Sequence, residues 1–290
     1  MKSFLLDKRV LVALVITVVL WAAAFAGIRA ALVSYGPGEV ALFRLLVASV
    51  TLAGYALLTR MRMPEARDLP VIFLCGFFGF TVYHVGLTFG ERTVEAGSAS
   101  LLISTAPIFI ALLASAFLGE RLKVLGWAGM GLSFAGAAII SFGEGGGYRF
   151  DFNALPILLA ALSESVYFVV QRPYLRKYGS LAFTTYAIWA GTVPALFFLP
   201  GLLSQVRDAT PGATFSGAFL GIFPTAIAYV TYAYVSSRMT AAVSASFLYL
   251  IPALAFLVAW VWLGETPHPV SIVGGLLALA GVLVVNGYRR

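Results

Sequence analysis

PIFIALLASAFLGE (Pro107–Glu120) and PALAFLVAWVWLGE (Pro252–Glu265) decide the fold. Each sets a proline inside an apolar run and closes on Gly-Glu, and they lie 145 residues apart. The same shift carries Gly129 onto Gly274, Gly136 onto Gly281, Gly76 onto Gly221 and Phe78 onto Phe223. Glycine matches are cheap where 29 of 290 residues are Gly, but an in-span Pro, a terminal Gly-Glu and further positions in one register mark an internal duplication. The chain therefore reads as two copies, 1–145 and 146–290, forming one compact membrane domain.

Working outward from these stretches, apolar runs of bilayer-crossing length fall at 10–32, 40–59, 69–88, 96–118 and 124–142, then at 154–174, 181–202, 213–235, 241–263 and 270–287. Ten spans with short loops leave no room for a soluble domain. Composition agrees: 61% of residues are apolar and 11% charged, under half the ~25% of soluble domains. Disorder, coiled coil and disulfide scaffold are excluded, the last because Cys75 is the sole cysteine. The fold class is an all-α integral membrane protein.

Of 19 Lys and Arg, 14 fall on one side of the ten spans and four on the other, with Arg44 inside the second span. Basic residues favour the cytoplasmic side, so both termini are expected there, in the inner (plasma) membrane of the cell. That asymmetry accounts for the net charge of +7 without nucleic acid, for which no basic helix or aromatic RNA-binding motif is present. The first run resembles a signal peptide, but it is too long for one, and removing it would break the duplication. Five spans per copy is an odd number, so the second copy enters the membrane inverted. Inverted repeats suit transporters, whose two equivalent halves exchange conformations around a midplane site.

Three groups of residues also resemble a known family: Trp21-Ala22-Ala23-Ala24-Phe25 in span one, Phe43-Arg44 in span two, and Pro107 and Pro252 each followed by Leu-Gly-Glu. Together they resemble the EamA branch of the drug/metabolite transporter (DMT) superfamily over nearly the whole chain. The resemblance implies ten helices in two inverted five-helix repeats, with a central cavity built from the first four spans of each half and the fifth and tenth packed outside. It also implies export of small metabolites by alternating access, with aromatic amino-acid exporters of the YddG type nearest. The second half departs from the pattern, with Val166 at the position matching Trp21.

Polar side chains in mid-span are costly in hydrocarbon and face a cavity or a partner. Glu164, flanked by Ser163 and Ser165 and one helical turn before Tyr167, is a candidate either for an ammonium group or proton, or for a hydrogen bond between helices. His84, beside Tyr83, is the only histidine within a span and reads either as a substrate contact or proton coupler or as a satisfied buried donor. Trp21, Tyr83, Tyr167, Tyr229 and Tyr249 are the aromatic candidates; Ser246 and Tyr249 share a face, and Ser98, Ser100 and Ser244 offer further hydroxyls. Pro107 and Pro252 read as in-span kinks that shape or gate the cavity. Glu120 and Glu265 read as caps on the helix that follows each. Arg44 reads as a shallow residue with Glu39 as its simplest local partner, Arg29 or Glu91 joining an extracellular-side network, either as a structural pair or as a gating ion pair.

No metal or cofactor is expected, because neither ligand spacing nor a nucleotide motif is present. Catalytic signatures are absent too, which demotes an intramembrane enzyme; a channel is equally disfavoured. The substrate is expected to be a small neutral or zwitterionic metabolite, an amino acid first, with a lipophilic cation as the alternative. Nothing specifies an oligomeric state. Cysteines introduced near Arg62 and Arg176 should label from the cytoplasm and one near Glu144 from outside; the reverse pattern would overturn this topology.

Overall fold

A computed structural model describes residues 7–94, 96–120, 122–143, 154–263 and 269–287. Arg121, Glu144, Arg149, Gly264, Glu265, His268 and the basic residues Lys2, Arg289 and Arg290 lie outside them, as does the side chain of Ser98. Every element among the described residues is helical. The first half comprises α1 (Lys8–Leu32), α2 (Pro37–Leu58), α3 (Ala66–Gly90), α4 (Ala96–Ile103), α5 (Ala106–Phe117) and α6 (Val124–Gly143). The second comprises α7 (Ala154–Val170), α8 (Arg172–Tyr178), α9 (Ser180–Gln205), α10 (Pro211–Ser236), α11 (Ala241–Ser246), α12 (Leu250–Leu263) and α13 (Pro269–Gly287). Among the described residues five helices, α1, α2, α3, α9 and α10, are long and apolar enough to cross a bilayer alone; α7 and α8, bent by 47° to one another, pass the same test when taken together.

The starts of these helices follow local rules. Asp7 accepts the Arg9 amide at the head of α1, and Thr210 accepts the Ala213 amide before α10. Pro37 and Pro211 occupy first-turn positions, where the missing N–H has no helical partner to lose. Pro107 and Pro252 also stand in the first turn of a helix, each at a break in its span. The fourth span is broken after Ile103 and restarts with Pro107 in the first turn of α5; the ninth passes through a 3-10 turn, Phe247–Tyr249, before Pro252 in the first turn of α12.

Packing repeats under the 145-residue shift. The small faces of α6 and α13 meet: a Cβ on Gly136 would strike the backbone of Gly274 and Ala278, and one on Gly281 would strike Gly129 and Ser133, the shifted equivalents. Such close backbone approach is how small residues join membrane helices. Ser133 Oγ also donates to the Ala278 carbonyl at 3.1 Å. Likewise Gly76 abuts α9 at Ala187 and Gly191, while Gly221 abuts α2 at Arg44 and Val47.

A second shared feature shapes the interior. Phe77–Val82 in α3 and Gly221–Ile227 in α10 are wound as π-helix, at equivalent places in the two halves. A π turn frees carbonyls from their usual helical donors, and within a bilayer only protein or cavity water can satisfy them. Ser163 Oγ donates to the Phe78 carbonyl at 3.0 Å, Trp21 Nε1 to the Pro224 carbonyl at 3.0 Å, and Thr225 Oγ1 to the Leu220 carbonyl at 2.8 Å. The first two of these bonds cross between the halves. Gly281→Val should force α13 off α6 and destabilise the protein by about 1–3 kcal/mol; an unchanged Tm in detergent would contradict this packing.

Candidate functional site

A narrow hollow lies between the halves. Its lining includes Trp21 and Phe25 of α1, Arg44 of α2, Tyr83 and His84 of α3, Glu164 of α7, Tyr229 of α10 and Pro252 of α12. Among the described residues, α6, α13 and α9 contribute nothing to it. Its volume, measured by the centres of water-sized spheres, is ≈ 40 Å³. At about 10–15 Å³ per sphere that is room for a few waters, so anything larger requires the walls to part.

Seven of the sequence candidates line it: Trp21, Tyr83, His84, Ser100, Glu164, Tyr229 and Pro252. Glu164 is 4% exposed and its Oε1 accepts the Tyr229 hydroxyl at 2.8 Å. Glu164 thus faces the hollow and also takes part in a hydrogen bond between two helices, α7 and α10, of the second half. Trp21, tied to Pro224 through its indole N–H, sets its ring edge-on to Tyr229 at 5.0 Å between centroids. His84 is fully buried between Tyr83, Phe80 and Tyr229, and neither ring nitrogen has a partner among the described residues. Tyr83 completes the aromatic wall.

Other candidates sit elsewhere. The Tyr167 ring packs over Gly79, behind the hollow. Ser246 donates to the Val243 carbonyl at 2.8 Å, and Tyr249 is buried outside the lining. Pro107 is behind the wall, where its neighbour Ala106 takes the lining place. Ser100 and Ser104 line the hollow, whereas Ser244 bonds within its own helix, to Thr240 and Ala241.

Arg44 requires a correction. It is neither shallow nor paired with Glu39: it is 2% exposed, lines the hollow, and its Nε donates to Thr225 Oγ1 at 2.9 Å. The Glu39 carboxylate lies beside Gly36 and Gly201 instead. Depth was the available signal, since Arg44 stands seven residues into α2, about 10 Å along the axis.

Contacts at the two ends of the hollow differ in character. At one end Lys177 joins Asp68 at 2.5 Å and Glu65 at 2.9 Å, with the Tyr178 hydroxyl also donating to Asp68. The hydrogen bond from Lys177 holds the Glu65 carboxylate below its ordinary pKa, so this tie is complete at neutral pH and is lost as pH falls through that depressed value. Nearby, Glu120 Oε2 accepts the Ala241 amide at 2.7 Å, with Arg172 at 3.5 Å. Glu120 thus caps α11 of the other half, not the following helix as the sequence suggested. The opposite end is closed by neutral bonds, Tyr35 to Thr214 at 2.8 Å and the Gly36 amide to Gln205 at 2.8 Å, beside a polar vestibule lined by Arg29, Glu91 and Arg92.

Comparison with known proteins bears on this arrangement. The family model described as the EamA-like transporter family matches residues 8–142 and 152–287, one match per half. The Bacillus subtilis protein called "Uncharacterized transporter YdfC" is 48% identical, the alignment covering 91% of this chain and 86% of that one. A Streptantibioticus cattleyicolor protein named "Probable terminal-alkyne amino-acid exporter" is 46% identical, with 96% and 95% covered. A solved crystal structure at 20% identity superposes with a TM-score of 0.77 over 94% of each chain, which shows a shared fold. Tyr229→Phe removes only the hydroxyl that reaches Glu164 and should cost about 1–3 kcal/mol of stability; an unshifted Tm would show that the bond is not formed.

Proposed function

The chain belongs to the EamA-like transporter family, membrane-spanning carriers rather than enzymes, and from that premise we propose that it exports amino acids with aromatic or other apolar side chains. The observation that carries this reading is Glu164, a buried carboxylate held by Tyr229 inside an aromatic hollow between the halves. A carboxylate attracts an ammonium group, and the faces of Trp21, Tyr83 and Tyr229 suit both that cation and an apolar side chain. The name carried by the Streptantibioticus relative supports the same substrate class.

In this reading residues 1–145 and 146–290 are inverted copies, both termini are cytoplasmic, and the protein sits in the inner membrane. Substrate meets Trp21, Tyr83, His84, Glu164 and Tyr229 in the hollow, while Tyr167, Ser246 and Tyr249 support the wall from behind. Pro107 and Pro252, at the breaks of spans four and nine, mark where those spans pivot. Alternating access then means exchanging one set of end contacts for the other: the Lys177 and Glu120 ties open on one side as the Tyr35 and Gln205 bonds hold the other. Because the hollow is too narrow for an amino acid, loading and closure must be coupled. The driving force is a gradient of substrate, proton or voltage.

Counterflow in liposomes with a panel of labelled amino acids tests the reading directly; exchange of apolar members supports it, and exchange of lipophilic cations alone would replace it with cation extrusion. Glu164→Gln should lower exchange at least about tenfold while the protein stays folded, since it removes the charge that an ammonium requires. Wild-type exchange by that variant at every pH would take Glu164 out of the mechanism.

A further inference from the structure

We propose that Arg44 is the receptor for the carboxylate of the transported molecule, which makes the site dipolar and selective for zwitterions over lipophilic cations. This deepens the amino-acid reading and rests on it.

A guanidinium carries five N–H donors in a rigid fork. Arg44 spends its Nε–H on Thr225, whose own hydroxyl is oriented by donating to the Leu220 carbonyl within the π segment. Arg44 itself lines the hollow. Nη1 is buried and has no partner among the described residues, and no ion pair there involves Arg44. Its neighbour in sequence, Glu39, is turned toward Gly36 and Gly201; Glu91, which lines the vestibule, lies within electrostatic range of the guanidinium but forms no ion pair with it.

A permanently charged group buried with open donors is strongly unfavourable unless an anion completes it. The planar fork matches a carboxylate through two parallel hydrogen bonds. The other charged group lining the hollow is Glu164, which Tyr229 holds through Oε1. One cation and one carboxylate therefore share a narrow space whose remaining wall is largely aromatic and aliphatic. An α-amino acid brings the complementary pair on adjacent atoms. A lipophilic monocation would satisfy Glu164 but would leave Arg44 unmatched and repelling it.

Comparison of the halves strengthens the assignment. Under the 145-residue shift Arg44 falls on Trp189 and Glu164 on Val19, so each half supplies one charge at a position where the other half is apolar. The duplicated backbone consequently holds an unduplicated dipole, and substrate has a single polarity in the site: carboxylate toward α2 of the first half, ammonium toward α7 of the second. Thr225 acts as a positioning residue, setting the direction of the guanidinium.

The test is direct binding to the purified full chain of phenylalanine, leucine and methionine, each measured against its own α-carboxamide, which keeps the ammonium and side chain but lacks the carboxylate. Wild type should prefer the acids by about tenfold or more. Arg44→Gln should bring that preference to within about twofold, and Arg44→Lys should restore part of it as a point charge. Should Arg44→Gln fail to fold, Thr225→Val, which removes the hydroxyl that aims Nε while keeping the guanidinium, should still lower the preference several-fold. An undiminished preference in the folded Gln variant, or in the Val variant where that one alone folds, would overturn the role of Arg44, as would equal wild-type binding of acid and amide, with amino-acid recognition left standing. Wild-type binding of tetraphenylphosphonium with none of the amino acids would instead remove the substrate reading itself and this inference with it.

Discussion

Hydrocarbon offers no hydrogen bonds, so every polar group that this chain carries into the bilayer must be answered by the protein itself or by water trapped within it. That constraint bears hardest on the two π segments, whose widened turns release carbonyls at mid-depth. Ser163 and Trp21 each cross from one half to bond a carbonyl in the other, at Phe78 and Pro224. The halves are therefore joined by backbone satisfaction as well as by apolar packing, and neither could keep its π segment in lipid without its counterpart.

The hollow begins just beyond these segments in the chain: His84 and Tyr229, equivalent positions in the two halves, both line it and lie 5.9 Å apart between ring centroids. Backbone geometry repeats between the halves, whereas the charged side chains do not. A carrier that rocks between two states profits from equivalent halves, and a site that recognises a substrate with two different ends profits from inequivalent side chains. Glu164 and Arg44 supply that inequivalence within one shared frame. The end contacts divide in the same manner, charged at the Lys177 end and neutral at the Tyr35 end.

Much of this was legible beforehand because hydrocarbon restricts what a sequence can mean. Trp21, Tyr83, His84, Glu164 and Tyr229 converge on one hollow for the reason that singled them out: their polar atoms lie within apolar runs and need company. Arg44 escaped that logic through a boundary. The apolar run was read from Val40, whereas α2 begins at Pro37, and three residues of rise, about 4.5 Å, separate a shallow side chain from a deep one. Glu120 escaped because its partner, the Ala241 amide, is brought to it only by packing across the two halves.

By itself the sequence determined the membrane-spanning class, the ten apolar stretches and the duplication, since span length and a 145-residue register are properties of order along the chain. Tertiary structure alone decided where spans four and nine break, which hydroxyl holds Arg44, and that Tyr167, Ser246 and Tyr249 stand behind the wall rather than in it. The physical reason is rotational: hydropathy specifies how deep a residue lies in the bilayer but says little about the direction it faces, and π and 3-10 turns alter that direction within a few residues.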